Sequence, residues 1–197
     1  MRLKNWLAEP LPLFRHVWSR RNLFGGRWFY FEVFLMGFFG VAGIYFATNH
    51  LVAYLDSYPW SPVLSIDRQI PAIAWMIVPY ASLYLLTPGA IALHPSNDRG
   101  RMELLLALQG VIALSAFHAI FFLLFPADIA LRDQLPAEIL AYEGVFGAIF
   151  EFIHTADNPT NAWPSLHISL SYVICRVMTI WLDRDYAETS WGKPLKW

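Results

Sequence analysis

Cysteine is almost missing from this chain. The single Cys175 lies inside an apolar run, so no internal disulfide can form and no metal site can be built on thiolates. Charge is scarce as well: 15% of the 197 residues are Asp, Glu, Lys or Arg, against 57% hydrophobic and 17% aromatic. That balance points to a membrane protein rather than a soluble domain. Neither sign of charge dominates, and a formal net charge of -1 excludes the strongly basic face that grips a polyphosphate backbone. Nucleic acid is therefore not expected as a partner. A cleavable signal peptide is lacking too, because residues 1–27 are basic and amphipathic, with no small-residue cleavage site after a short apolar core. The first membrane segment is expected to stay on the chain. No internal repeat or low-complexity tract is present, and the Pro/Asn-rich link 155–164 is the one pronounced loop signal.

What the chain does have is long apolar runs. Crossing a hydrocarbon core of ~30 Å at ~1.5 Å per residue takes about 20 residues. Trp28 to Thr48, Ile70 to Leu93, Glu103 to Phe125 and Pro164 to about Leu182 each meet that length. In the second, Pro79 is tolerable as a kink, because neighbouring helices can cover the carbonyl it frees. The fold expected is an all-α, polytopic helical membrane protein with four transmembrane helices plus amphipathic interfacial helices. Its organisation would be an interfacial segment at 1–27, a transmembrane domain at 28–183 and a tail at 184–197. Alternate threading gathers Arg2, Lys4, Arg15, Arg20, Arg21, Arg27, Arg99, Arg101, Arg184, Lys193 and Lys196 on one side, leaving Arg68 and Arg132 on the other. The positive-inside rule then puts both termini in the cytoplasm, with the cell (inner) membrane as the location and loops 49–69 and 126–163 outside. Residues 11–24 set Phe14, Val17 and Trp18 on one helical face, as an interfacial helix on an anionic leaflet would. Residues 137–153 read as a shorter apolar helix that carries Glu138, Glu143 and Glu151, lies at the outer interface and roofs whatever site is there.

Chemistry concentrates at Asn161-Ala-Trp-Pro-Ser-Leu-His-Ile-Ser169. Pro164 can open the fourth helix because the first N–H groups of a helix have no intrahelical partner anyway. Ser165 and His167 then sit in the first turn, where those N–H groups and the positive dipole end attract an anion. A serine hydroxyl can donate to a phosphate oxygen, and an imidazole can protonate a leaving oxygen near neutral pH. A guanidinium pairs two-pronged with phosphate oxygens, and Arg132 is the only arginine between the third and fourth spans.

Residues 164–169, PSLHIS, resemble the second signature of the type 2 phosphatidic acid phosphatase superfamily. Asp67-Arg-Gln-Ile-Pro71 followed by Pro79-Tyr80 is similar to the stretch seen before it in the branch related to inositol phosphorylceramide synthases. The resemblance implies that an arginine of the first signature and the serine of the second bind phosphate, and that the second-signature histidine assists the leaving group. A histidine of the third signature, oriented by an aspartate, attacks phosphorus to give a phosphohistidine. Carried to this chain, Arg132 and Ser165 become substrate-binding residues and His167 the catalytic one. The departures are specific. Arg132 is followed by Asp133 where the family has proline, Phe125 stands where the family has an upstream lysine, and the third signature has no counterpart up to Trp197.

The function implied is a lipid phosphate phosphatase or phosphotransferase acting on a phospholipid or isoprenyl phosphate at the outer face. It would need neither cofactor nor metal, since cationic side chains and helix N–H groups neutralise the charge. The alternative is a non-catalytic accessory subunit, packed against other membrane subunits of a larger complex, that keeps half of the site. His118 in the third span and His154, which forms a His-x-x-Asp pair with Asp157, are the candidates to replace the missing one. The plainer role for His118 is a satisfied buried imidazole, and for His154 a loop or helix-capping contact. Glu32 reads as interfacial, and the many Trp and Phe as interface belts and lipid-facing packing.

Overall fold

The computed structural model describes residues 9–55, 60–129, 131–156 and 161–187. Four helical stretches are long and apolar enough to cross a membrane: Leu23–Tyr54, Ala74–Leu93, Asp98–Leu124 and Leu166–Asp185. Among the described residues no strand forms, and the backbone pairs only through isolated bridges. The all-α expectation and the four spans hold.

The first stretch is composite. A 3-10 turn at Leu23–Gly26 takes left-handed φ at Phe24, Gly25 and Gly26 and turns the chain into α2, Arg27–Gly37. A π-helical segment, Phe38–Gly43, joins it to α3, Ile44–Tyr54. Ahead of it lies α1, Pro12–Ser19, with proline in its first turn, where no hydrogen bond is lost. The second stretch begins with a 3-10 turn at Ala74–Met76, continues as α4, Ile77–Ala81, and resumes after Ser82 as α5, Leu83–Leu93. The break follows Pro79, whose carbonyl accepts a 2.6 Å hydrogen bond from the Ser82 hydroxyl. Helix α6, Asp98–Leu124, is capped by Asn97, whose side-chain oxygen accepts from the Gly100 N–H at 2.8 Å. Two short helices follow, α7 at Ala137–Leu140 and α8 at Gly144–Ala156, and then α9 at Leu166–Asp185.

The chain packs as two compact units. The first comprises Met1–Gly43, Tyr84–Ser115 and Ile168–Trp197; the second comprises Ile44–Leu83 and Ala116–His167. Phe14, Val17, Phe29, Leu104, Leu105 and Trp181 form the core of the first. In the second, parallel bridges tie Trp60 to Ala127 and Ala127 to Asn161, so three separate loop segments lie side by side. Along the spans, large apolar side chains such as Phe34, Phe39, Leu85 and Tyr172 point outward, as side chains solvated by lipid do.

Three local expectations differ from the structure. The apolar face of α1 is not laid on lipid: Phe14 and Val17 are buried in the core of the first unit, and the Leu11 N–H donates to Gln109 Oε1 at 2.8 Å. An amphipathic pattern records that one face is apolar, not whether lipid or protein covers it. Residues 137–153 are not one helix, because Tyr142 and Gly144 take φ of 56° and 69° and turn the chain between α7 and α8. Pro164 does not begin the fourth span either. The helix starts at Leu166, and Ser165 stands immediately before it.

Candidate functional site

Within the second unit, a cavity of about 500 Å³ has Arg132, His154, Asn161, Ser165 and His167 in its wall. Arg132, Ser165 and His167, the residues singled out by the sequence, thus line one cavity. Ile73, Met76, Ile77, Ile129 and Leu131 supply much of its apolar surface.

Each polar side chain is placed by a local device. Ser165 precedes α9 at the position where a hydroxyl can cap the first turn, and His167 lies within that turn. The His167 ring stacks on Tyr80 of α4, with centroids 4.2 Å apart and planes 23° off parallel. Its Nδ1 lies 3.4 Å from the Tyr80 hydroxyl, while its Nε2 is buried with no partner among the described residues. Tyr80 belongs to the Pro79-Tyr80 pair on which part of the family resemblance rests. Stacking on Tyr80 fixes the plane of the imidazole.

Arg132 opens a 3-10 turn, Arg132–Gln134. The two residues after it pin that turn to the segment around Arg68. Asp133 pairs with Arg68 at 3.3 Å, and the Gln134 side chain donates to the Arg68 carbonyl at 3.1 Å. The acid that stands where the resembling family has proline is therefore engaged with Arg68. Asp67 in turn fixes the neighbouring turn, accepting from the Leu64 N–H at 2.7 Å.

His154 comes from the last turn of α8, and its Nδ1 is 3.1 Å from the Tyr142 hydroxyl in the turn before that helix. Burial and then the positive charge of Arg132 hold its pKa below the usual imidazole range, so the ring is neutral at neutral pH. Asn161 is held through the backbone, since its bridge to Ala127 is accompanied by a hydrogen bond from the Ala162 N–H to the Ala127 carbonyl at 3.1 Å. The residue is 9% exposed, and neither amide atom has a partner among the described residues.

His118 does not line this cavity. It is buried in α6 beside Phe117 and Phe122. Asp157 lies outside the described residues. Glu32 is ion-paired with Arg20. Sequence reasoning assigned no role to Asn161 and gave His154 a capping role, because spacing along the chain does not report which loop residues return to one volume. Chemically, the site combines a cation, a hydroxyl, a helix start, two imidazoles and an amide against an apolar wall. That set suits the phosphate of an amphiphile. Compared with known proteins, the chain matches no family model, no curated protein and no solved structure.

Proposed function

We propose that this cavity binds the phosphate group of a membrane lipid and that the chain is a lipid phosphate phosphatase or phosphotransferase. In that role it resembles the type 2 phosphatidic acid phosphatases and works at the outer face of a cell membrane. The observation that carries this is the presence of two imidazoles, His154 and His167, in the wall of one cavity with Arg132. Arg132 and Ser165 hold the phosphate, aided by the first N–H groups of α9. His154 serves as the nucleophile. With Nδ1–H donating to the Tyr142 hydroxyl, Nε2 keeps its lone pair and attacks phosphorus. As the P–O bond to the lipid breaks, His167 in its imidazolium form gives the Nε2 proton to the departing oxygen and is left neutral. Water or an acceptor alcohol then gives its proton to His167, attacks the phosphorus, and releases His154 with its original lone pair. Neutral His154 suits a nucleophile, since a protonated imidazole has none to offer.

The test is phosphate release by the purified chain from phosphatidic acid and from an isoprenyl phosphate. Turnover is expected, with His167→Ala and His154→Ala each lowering kcat by about a hundredfold or more, and Arg132→Ala acting mainly on KM. A well-folded sample inactive on both lipids overturns the enzyme. If that sample still binds them, it is the lipid-holding accessory subunit instead.

A further inference from the structure

Helix α9 has two unlike faces. Leu170 and Trp181 are buried, and Val177 packs against the core of the first unit. On the other side Ile168, Tyr172, Cys175, Arg176, Ile180 and Asp183 are exposed, and their spacing sets them along one stripe. Arg176 stands near the middle of Leu166–Asp185, about 15 Å along the helix from its first residue and about 14 Å from its last. That is about mid-depth in a ~30 Å hydrocarbon core. Among the described residues Arg176 has no hydrogen-bond or ion-pair partner. The other described arginines stand outside the four apolar stretches or near their ends. A guanidinium cannot escape by losing its proton, and an unpaired charge at mid-depth is among the most costly groups a span can carry. Reaching for the headgroups does not relieve it. The Cα–Cβ bonds of a helix tilt towards its N-terminus, so the side chain leads away from the nearer end, and the farther end is beyond its reach.

We propose that this stripe is the contact surface for a membrane helix of another protein, one that carries an Asp or Glu near mid-depth. Charge complementarity selects that occupant. The carboxylate accepts two N–H bonds from the Arg176 guanidinium. Tyr172, exposed and one turn towards the N-terminus on the same face, brings a hydroxyl as a further donor. A second copy of this chain does not supply the acid. Within the four stretches the acids are Glu32, Asp98, Glu103, Asp183 and Asp185, which lie towards the ends where the arginines gather. A two-fold axis along the membrane normal sets Arg176 against Arg176, with Asp183 about 10 Å farther along the helix. The inference rests on α9 crossing a membrane and is independent of the phosphate reading of the cavity.

The experiment places the full chain in phosphatidylcholine vesicles at pH 8 with a synthetic leucine-alanine membrane helix that has one glutamate at its centre and a cysteine one turn away. A matched probe has leucine in place of the glutamate. Oxidation with copper phenanthroline joins the probe thiol to Cys175, which is exposed beside Arg176, so disulfide yield reads contact at this face and depth. The glutamate probe is expected to link at least about tenfold more than the leucine probe. Arg176→Leu should abolish that preference. Arg176→Lys, which keeps the charge, should retain most of it and guards against a misfolded leucine variant. Equal linking of the two probes by wild type overturns the inference, as does a preference that survives Arg176→Leu. Linking of two copies through Cys175 in preference to the glutamate probe also overturns it, because the stripe is then a face between copies. Phosphate release in the same vesicles should be unchanged by Arg176→Leu, so failure of the phosphate reading and failure of this one are separately visible.

Discussion

His94 shows how a single polar residue can be held in one state by its neighbours. Its Nδ1 lies 2.5 Å from the Ile91 carbonyl and must donate to it; its Nε2 lies 2.9 Å from the Tyr30 hydroxyl and must then accept. The Tyr30 oxygen in turn accepts from Arg101 Nε at 3.4 Å. The order of donors leaves the imidazole neutral, and burial first, with Arg101 adding to it, lowers its pKa below 6.5. The unfolded state binds the proton more readily, so this contribution is complete above the unfolded value and is lost as pH falls below it. Thermal melting should therefore show stability declining from pH 8 towards pH 5.5, with a shallower decline in His94→Gln. An unchanged slope in that variant would remove His94 from the account. Tyr30→Phe, which takes the donor away from Nε2, should cost about 1 to 3 kcal/mol at neutral pH.

Among the elements, those written in composition were legible and those made by returning loops were not. An apolar run of spanning length needs only local residues to be recognised, and all four appeared, with ends within six residues of those expected. The turn between α7 and α8 was hidden because no proline marks it. Its evidence is tertiary: a Cβ on Gly147 would sit 2.4 Å from the Tyr142 carbonyl carbon and 2.8 Å from its oxygen. Only glycine lets α8 fold that closely on the turn whose tyrosine meets His154. The Ser165 and His167 half of the site was readable because proline, serine and histidine fall together at a helix start. His154 and Asn161 join it only through the folding of residues 126–165. Gly147→Ala must push backbone rather than a rotatable side chain, so Tyr142 should shift from His154. Phosphate release should fall by about tenfold or more, since small misplacements of a reacting group are costly. Gly110→Ala meets nothing within 4 Å and should leave turnover unchanged. Equal activity in both variants would mean that the Tyr142–His154 contact does not serve the reaction.

Across the whole molecule, cationic residues are segregated. The first unit contains Arg15, Arg20, Arg21, Arg27, Arg99, Arg101, Arg176 and Arg184, while the second contains only Arg68 and Arg132. Several of the first set are fixed by acids: Arg21 pairs with Asp98 at 3.2 Å, and Arg184 with Glu103 at 2.7 Å. Under the positive-inside rule, such a distribution predicts that the loops near α1 and the start of α6 are cytoplasmic and those around α7 are outside. Cysteine labelling turns this into a measurement, since the chain has one cysteine to remove. Cys175 is exposed on α9, about 14 Å along the helix from Leu166 and thus near mid-depth in a ~30 Å hydrocarbon core. A membrane-impermeant maleimide should leave it unlabelled in intact cells and react only after detergent. In a Cys175→Ser background, Glu138→Cys in α7 should label from outside, whereas Ser19→Cys should label only after permeabilisation. Both sites are exposed, so labelling of the two from the same side would contradict the proposed threading, which sets an odd number of crossings between them.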